Sequence, residues 1–567
     1  MKTSLLKSFW HLFKGYWSSE EKLKARLLLG VVIALNVALV YMNVWLSEWN
    51  RDFFNALQNY EESSFLPMLK QFTIIALIYI TIAVYAIYLR QMLEIRWRTW
   101  LTNKYLSSWL NKQIYYRLNL IGATTDNPDQ RISEDINRFV SISLQLCIGL
   151  IRQLLTLAAF GFVLWELSGV LNFTLGGMEI TIPGYMFWFC LIYAGLGTFF
   201  AHKIGYKLIG LNFDQQKYEA DFRFSMMRVR ENSESIAFYR GEEAELKGFK
   251  DKFAFVIKNY WQLMKKTKHL NFYSNTYAQL AVVVPYIMAA PRYFSGEIKM
   301  GGLTQISIAF SRVQDALSFF IDAYSTIAEF ASVIKRLSGF TQHIEEAEEI
   351  TSEVKRVNSS DKDLTLENLT VKLPNNKVLI RDLNIKLEKS KRLIVTGSSG
   401  TGKSTLLRTL AGIWIYATGV IKLPENAKIL FLPQRPYLPL GTLKRALMYP
   451  LTESPSDDKL KEILKLVDLP ELTSKLDTED DWSRILSLGE QQRLAFARVL
   501  LTEPEYLFLD EATSALDEPR EQEMYELIRN KIPEITIVSV GHRSTLFKQH
   551  DIELSLTAGG SYNVRKL

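Results

Sequence analysis

Leu393-Ile394-Val395-Thr396-Gly397-Ser398-Ser399-Gly400-Thr401-Gly402-Lys403-Ser404-Thr405-Leu406-Leu407 decides the fold of the C-terminal part of the chain. An apolar run enters the pattern G-x-x-x-x-G-K-[ST] and leaves it with helical periodicity, which is the strand–loop–helix context of a phosphate-binding loop. Glycines let the main chain wrap phosphate oxygens. The bare N–H groups and the helix N-terminus favour negative charge, and Lys403 reaches the outer phosphates. Nucleotide contact is therefore assigned to Gly397, Ser398, Ser399, Gly400, Thr401, Gly402, Lys403, Ser404 and Thr405. The Ser404 hydroxyl is expected to ligate Mg²⁺.

Downstream, the apolar strand Tyr506–Leu509 ends in Asp510-Glu511. Asp510 is predicted to hold the metal shell and Glu511 to polarise the attacking water. Gln434 follows the strand Lys428–Leu432, and its amide is placed to sense both Mg²⁺ and the γ-phosphate. His542 follows Ile535–Val540 and is placed to clamp that phosphate and orient water. The catalytic set is thus Glu511, His542 and Gln434, and the metal set is Ser404, Gln434 and Asp510. Taken alone, Glu511 also reads as a salt-bridging glutamate and His542 as a surface histidine. Their order along the chain is what selects the chemical reading.

With Leu486-Ser487-Leu488-Gly489-Glu490 and Ser514-Ala515-Leu516-Asp517 added, the set resembles the nucleotide-binding domain of ABC transporters, matching its Leu-Ser-Gly-Gly-Gln signature and its D-loop. The resemblance implies that Ser487, Gly489 and Glu490 complete a nucleotide site whose phosphate loop belongs to a second subunit. With one such domain per chain and both Glu511 and His542 present, a homodimer with two competent sites is the simplest assembly. Leu488 and Glu490 depart from the family's Gly and Gln, which alters the fit without abolishing hydrolysis. The adenine-stacking aromatic is missing from Val371-Lys372-Leu373-Pro374.

The 567 residues, 48% hydrophobic and 12% aromatic, suit a membrane part joined to a soluble part. Six stretches are long enough to cross a bilayer, about 26–46, 69–89, 144–165, 182–202, 276–294 and 303–325. Asn36, Arg152 and Gln314 within them predict a bundle with a wet interior. The 90–143 connection carries Arg90, Arg96, Arg98, Lys104, Lys112, Arg117, Arg131 and Arg138, and 203–275 is richer still; 166–181 has no Lys or Arg. This bias places both long connections, both termini and the ATPase in the cytoplasm. It also accounts for most of the +7 net charge, so no nucleic-acid partner is implied. Residues 1–25 read as an amphipathic interfacial helix, 26–339 as the six-span domain, 340–362 as a linker and 363–567 as the nucleotide-binding domain. Cys147 and Cys190 fall inside spans and support neither a disulfide framework nor a metal site.

Asn127-Pro128-Asp129-Gln130-Arg131, Ser233–Gly241, Trp45–Gln58 and Asp481–Glu490 narrow the resemblance. Nearly the whole chain is similar to the SbmA/BacA-like peptide and cobalamin transporters in their version with a fused ATPase, and to peroxisomal and lysosomal half-transporters. The resemblance implies a membrane α-helical bundle of six spans with exporter-type ABC architecture, fused to an α/β P-loop nucleotide-binding domain. It implies ATP and Mg²⁺ as cofactors, membrane lipids and a transported solute as partners, uptake as the favoured direction, and a bacterial inner membrane as the site. Ser233–Gly241 matches the place where such proteins couple their two domains. A translocator of lipids or fatty acyl compounds, and a nucleotide-gated channel or sensor, remain alternatives. A soluble ABC ATPase is disfavoured by the six spans.

Asp315, Asp322 and Glu329 recur at heptad spacing at the sixth span. They predict either a negatively lined cavity for cationic cargo, or neutralisation by Arg152 or Arg312, with Glu329 already in the cytosol.

Overall fold

The structure, a computed structural model, describes residues 5–120, 127–175, 178–350, 352–451 and 455–567. It divides into two compact units, one of residues 1–108 and 125–342 and the other of 109–124 and 343–567.

The first unit is helical. Leu5–Trp17 (α1) is followed by Lys22–Gln58 (α2), Glu62–Leu110 (α3), Ile136–Ser168 (α4), Tyr185–Glu231 (α5), Glu242–Phe294 (α6), Met300–Asp322 (α7) and Tyr324–Glu349 (α8). Four helical segments, Lys22–Gln58, Glu62–Leu120, Pro128–Ser168 and Tyr185–Glu231, are long and apolar enough to cross a membrane. The other two expected spans lie in α6 and α7, where Gln279, Pro285, Pro291 and Arg292, and then Arg312, Gln314 and Asp315, dilute the apolar run. Helices α5 and α6 have 47 and 53 residues. At 1.5 Å per residue they reach about 70 and 80 Å, more than twice a hydrocarbon core, and they pack along each other.

Of residues 1–25, expected to form one interfacial helix, α1 covers Leu5–Trp17 and α2 begins at Lys22, with residues 1–4 outside the described residues. The apolar face of α1 is fixed by rings, with Tyr16 stacked on the fully buried Trp97 at 5.8 Å and Phe13 edge-on to it at 5.3 Å. Pro128 opens the next helical segment, as its preset φ allows. Two turns on, buried Asp135 accepts from Arg131 and from Arg336, each at 2.6 Å. Between α5 and α6 the short helix Ser233–Tyr239 ends on Arg240 in the left-handed region, leaving Phe238 and Tyr239 exposed.

The second unit is built on a six-stranded sheet in the order Tyr562–Lys566, Ile552–Leu556, Arg392–Gly397, Thr536–Val540, Tyr506–Asp510, Ile429–Leu432. All neighbours are parallel except the first pair. A second, mixed sheet joins Glu353–Ser359, Ala417–Pro424, Leu364–Lys372 and Val378–Leu387. Burial on both faces explains the unbroken apolar runs, as in Tyr506–Leu509. Residues 109–124 belong to this unit. Lys112 pairs with Glu348 at 2.8 Å, Arg117 donates to the Ile350 carbonyl at 3.1 Å, and Leu120 lies against the sheet core.

Candidate nucleotide site

Parallel strands deliver their carboxyl ends to one edge of the sheet, where ligands of open α/β sheets bind. Gly397, Asp510 and Val540 end adjacent strands, so the phosphate loop, the Asp510-Glu511 pair and His542 converge on that edge. The loop requires its glycines. Gly397 has φ +139° and a Cβ there would lie 2.4 Å from the Leu556 carbonyl oxygen, while Gly402 has φ +102° beside Leu379. Helix Lys403–Leu410 then starts with its free N–H groups toward the loop.

Within this frame the side chains are linked. Lys403, buried, folds back and donates to the carbonyls of Gly397 at 2.8 Å and Ser398 at 3.1 Å. Burial lowers its pKa despite the opposing pull of Glu511 and Asp510. Ser404 donates to Asp510 Oδ1 at 2.8 Å. Burial raises the Asp510 pKa, against the stabilising Ser404 bond. Gln434 Nε2 donates to Glu511 Oε2 at 3.0 Å, and His542 Nε2 lies 3.5 Å from Glu511 Oε1. Glu511 sits at φ +50°, an uncommon place for a side-chain-bearing residue and one enriched at functional sites. The residues fit the expected ATP and Mg²⁺: a glycine-bearing cradle, an ammonium, a hydroxyl–carboxylate pair and a second carboxylate with an amide and an imidazole on it.

The signature stands apart. Ser487 caps helix Leu488–Thr502, accepting from the Glu490 N–H at 3.3 Å, while Glu490 Oε2 accepts from the Ser487 N–H at 2.7 Å and its hydroxyl at 2.6 Å. That bonding lowers the Glu490 pKa. Glu490, expected at the nucleotide, is thus engaged as the partner that orients Ser487. Gly489 lies under the D-loop, where a Cβ would meet the Ala515 carbonyl at 3.2 Å. Among the described residues, Ser487, Gly489 and Glu490 make no hydrogen bond or ion pair to the phosphate loop.

One residue just beyond the signature received no role from the sequence. Gln492, fully buried, donates to the Gln434 carbonyl at 3.0 Å and to Ser514 Oγ at 3.2 Å, and accepts from the Ala515 N–H at 3.0 Å. It joins the glutamine loop, the signature helix and the D-loop. Its only sequence signal is a neutral polar residue entering the apolar face of that helix. Buried Glu521 is a second omission, accepting from Thr513 at 2.6 Å and Thr545 at 2.9 Å.

This site, in a chain that also carries membrane-spanning helices, defines an ATP-hydrolysing membrane translocase. Residues 12–294 match the family model "ABC transporter transmembrane region 2" and 380–514 match "ABC transporter". The chain is 35% identical to the inner membrane ABC transporter ATP-binding protein YddA of Escherichia coli, covering 96% of this chain and 97% of that protein. It is 28% identical to the lysosomal cobalamin transporter ABCD4 of Mus musculus, over 98% and 95%. In fold it resembles a bacterial Atm1-family ABC exporter with ATP bound, at TM-score 0.75 and 16% identity over 94% of this chain and 93% of the other. The chain belongs to the ABC transporters, as a half-transporter with fused transmembrane and ATPase regions related to the D family. A half-transporter of this fold works as a dimer.

Proposed function

We propose that two copies of this chain form a homodimeric transporter of the SbmA/BacA-like kind that takes up peptides, cobalamin or similar hydrophilic or amphipathic solutes across a bacterial inner membrane. The observation that carries the homodimer is the separation of Ser487, Gly489 and Glu490 from a phosphate loop otherwise fully assembled in the same chain. Each copy would supply the phosphate loop of one site and the signature of the other.

In this reading Lys403 exchanges its carbonyl acceptors for the outer phosphate oxygens, and the loop N–H groups from Ser398 to Thr405 take the rest. Ser404, Asp510 and Gln434 would hold Mg²⁺, which when bound offsets charge on the β- and γ-phosphates. Glu511 takes the proton of the attacking water, held by Gln434 on one side and His542 on the other. Closure of the two ATPase units would shift the membrane helices between states that bind solute differently, as coupling demands. The Ser233–Gly241 helix, with Phe238 and Tyr239 exposed, is the element proposed to pass that closure on. The similarity to a lysosomal cobalamin transporter and to an inner-membrane relative supports cargo and location.

The test is purified protein in lipid vesicles with ATP on the ATPase side. The expected result is ATP-dependent movement of a peptide or of cobalamin, absent in Glu511→Gln. ATP-dependent lipid movement without solute, or an ion conductance without accumulation, would overturn the cargo reading.

A further inference from the structure

Helix α7 packs against α2, α4, α5 and α6, which makes it the central helix of its unit. On it Arg312 and Asp315 line a cavity of about 80 Å³ with Arg152, Gln153 and Thr156 of α4 and Asn43 of α2. Arg152 falls near the middle of the expected span 144–165, and Arg312 near the middle of 303–325. From there either membrane face is about 15 Å away, beyond the reach of a snorkelling side chain. A guanidinium at that depth must meet water or an anion.

Several other arginines of this unit already have carboxylates. Arg131 and Arg336 pair with Asp135 and Arg138 with Glu329, each at 2.6 Å, and Arg292 pairs with Glu297 at 3.0 Å. Arg152 and Arg312 differ. Among the described residues Arg152 has no ion pair, and Arg312 Nη2 donates to Asn43 Oδ1 at 3.3 Å. The Asn43 amide is turned for this, because its Nδ2 is held by the Leu39 carbonyl at 2.7 Å. The expected acidic stripe is accordingly divided. Glu329 is taken by Arg138, the Asp322 side chain lies outside the described residues, and Asp315 shares its cavity with two arginines, leaving a positive lining.

We propose that Arg152 and Arg312 form an anion subsite in the membrane unit that binds a carboxylate or phosphodiester group of the transported solute. This rests on the transport reading above and names the chemical handle of the cargo. Guanidinium forks suit the paired oxygens of either group. The cavity admits one such group, with the rest of the solute outside it. Lipid phosphates stay at the membrane faces, so the anion comes from the solute. A peptide brings its terminal carboxylate and cobalamin its phosphodiester.

The full-length protein in lipid vesicles, without nucleotide, is treated with phenylglyoxal, and the labelling rates of Arg152 and Arg312 are read by peptide mass spectrometry. The probes are N-acetyl-tetraalanine, its C-terminal amide and cyanocobalamin. Expected are labelling of both arginines and, at about ten times the Kd of an anionic probe, a roughly ten-fold fall in rate that the amide does not give. Protection by the free acid assigns a carboxylate; protection by cyanocobalamin assigns a phosphodiester. Absence of labelling, equal protection by acid and amide with none by cyanocobalamin, or protection by no probe would overturn the subsite. No variant has to fold for this decision. Protection does not depend on turnover, so protection without accumulation in the vesicle assay keeps the subsite and removes the transport reading, and accumulation without protection does the reverse.

Discussion

The two sides of the nucleotide chemistry in this chain are built differently. On the phosphate-loop side, Lys403, Ser404, Asp510, Glu511, Gln434 and His542 are linked to each other or to the loop by contacts of 2.8–3.5 Å. On the signature side, among the described residues, Ser487 and Glu490 bond only to one another's groups and to their own helix. A complete half and an orphaned half in one polypeptide teach that the unit of catalysis is larger than the chain. Gln492 is the covalently local bridge between the halves, since it holds Gln434 and Ser514 from the signature helix.

The largest expected effect comes from disabling the complete half. Glu511→Gln keeps the Gln434 and His542 neighbours but removes the proposed base, and ATP turnover should fall by about 10²–10⁴-fold with nucleotide binding retained. Sustained hydrolysis by that variant would dissolve the contrast, because the carboxylate at the centre of the linked set would then be idle. Next, Ser487→Ala removes a hydroxyl donor from the orphaned half. Turnover should fall by about 10²-fold while binding to the isolated phosphate loop, followed by a fluorescent nucleotide, stays near normal. Equal loss of binding would place Ser487 in the first half rather than the second.

Gln492→Glu is isosteric but replaces the amide donor facing the Gln434 carbonyl with an acceptor, while the Ser514 hydroxyl can turn and donate to it. Losing the buried bond to Gln434 costs about 1–3 kcal/mol, so turnover should fall about ten-fold, with the cooperativity of ATP dependence reduced. Unchanged kinetics would mean the halves are not joined through this residue.

The smallest effect on activity is expected below the sheet. His550, buried with Ser539 and Tyr525, has its pKa pushed down to about 4 by burial. Its ordinary value is about 6.5, so between those limits the unfolded chain binds a proton that the folded chain refuses. Stability from this group is complete above about pH 6.5 and is lost as pH falls toward 4, by up to about 1.4 kcal/mol per pH unit. Thermal unfolding from pH 7 to 5 should show that slope, and His550→Asn should flatten it without changing turnover at neutral pH.

How much of this could be read from the sequence follows from how local each feature is. The phosphate loop, Asp510-Glu511 and the signature are short runs at strand and helix ends, where backbone geometry dictates residue type, so their places were legible. Gln492 was not, because its three partners lie on two other loops and only the fold brings them to its amide. The membrane unit was legible as spans but not as a site. Arg152 and Arg312 were read as possible neutralisers of an acidic stripe, and only helix packing shows them sharing one cavity while Arg138 takes Glu329. The hydropathy of α6 and α7 is diluted for the same reason, since polar residues serve an interior that pattern alone cannot locate.

The most direct measurement concerns a mixed dimer isolated through two different tags, one copy carrying Lys403→Ala and the other Ser487→Arg. If each pocket takes its loop from one copy and its signature from the other, this pair keeps one intact pocket and hydrolyses ATP, whereas a doubly substituted copy paired with an unaltered one has none. Activity in the second pairing and silence in the first would contradict the account.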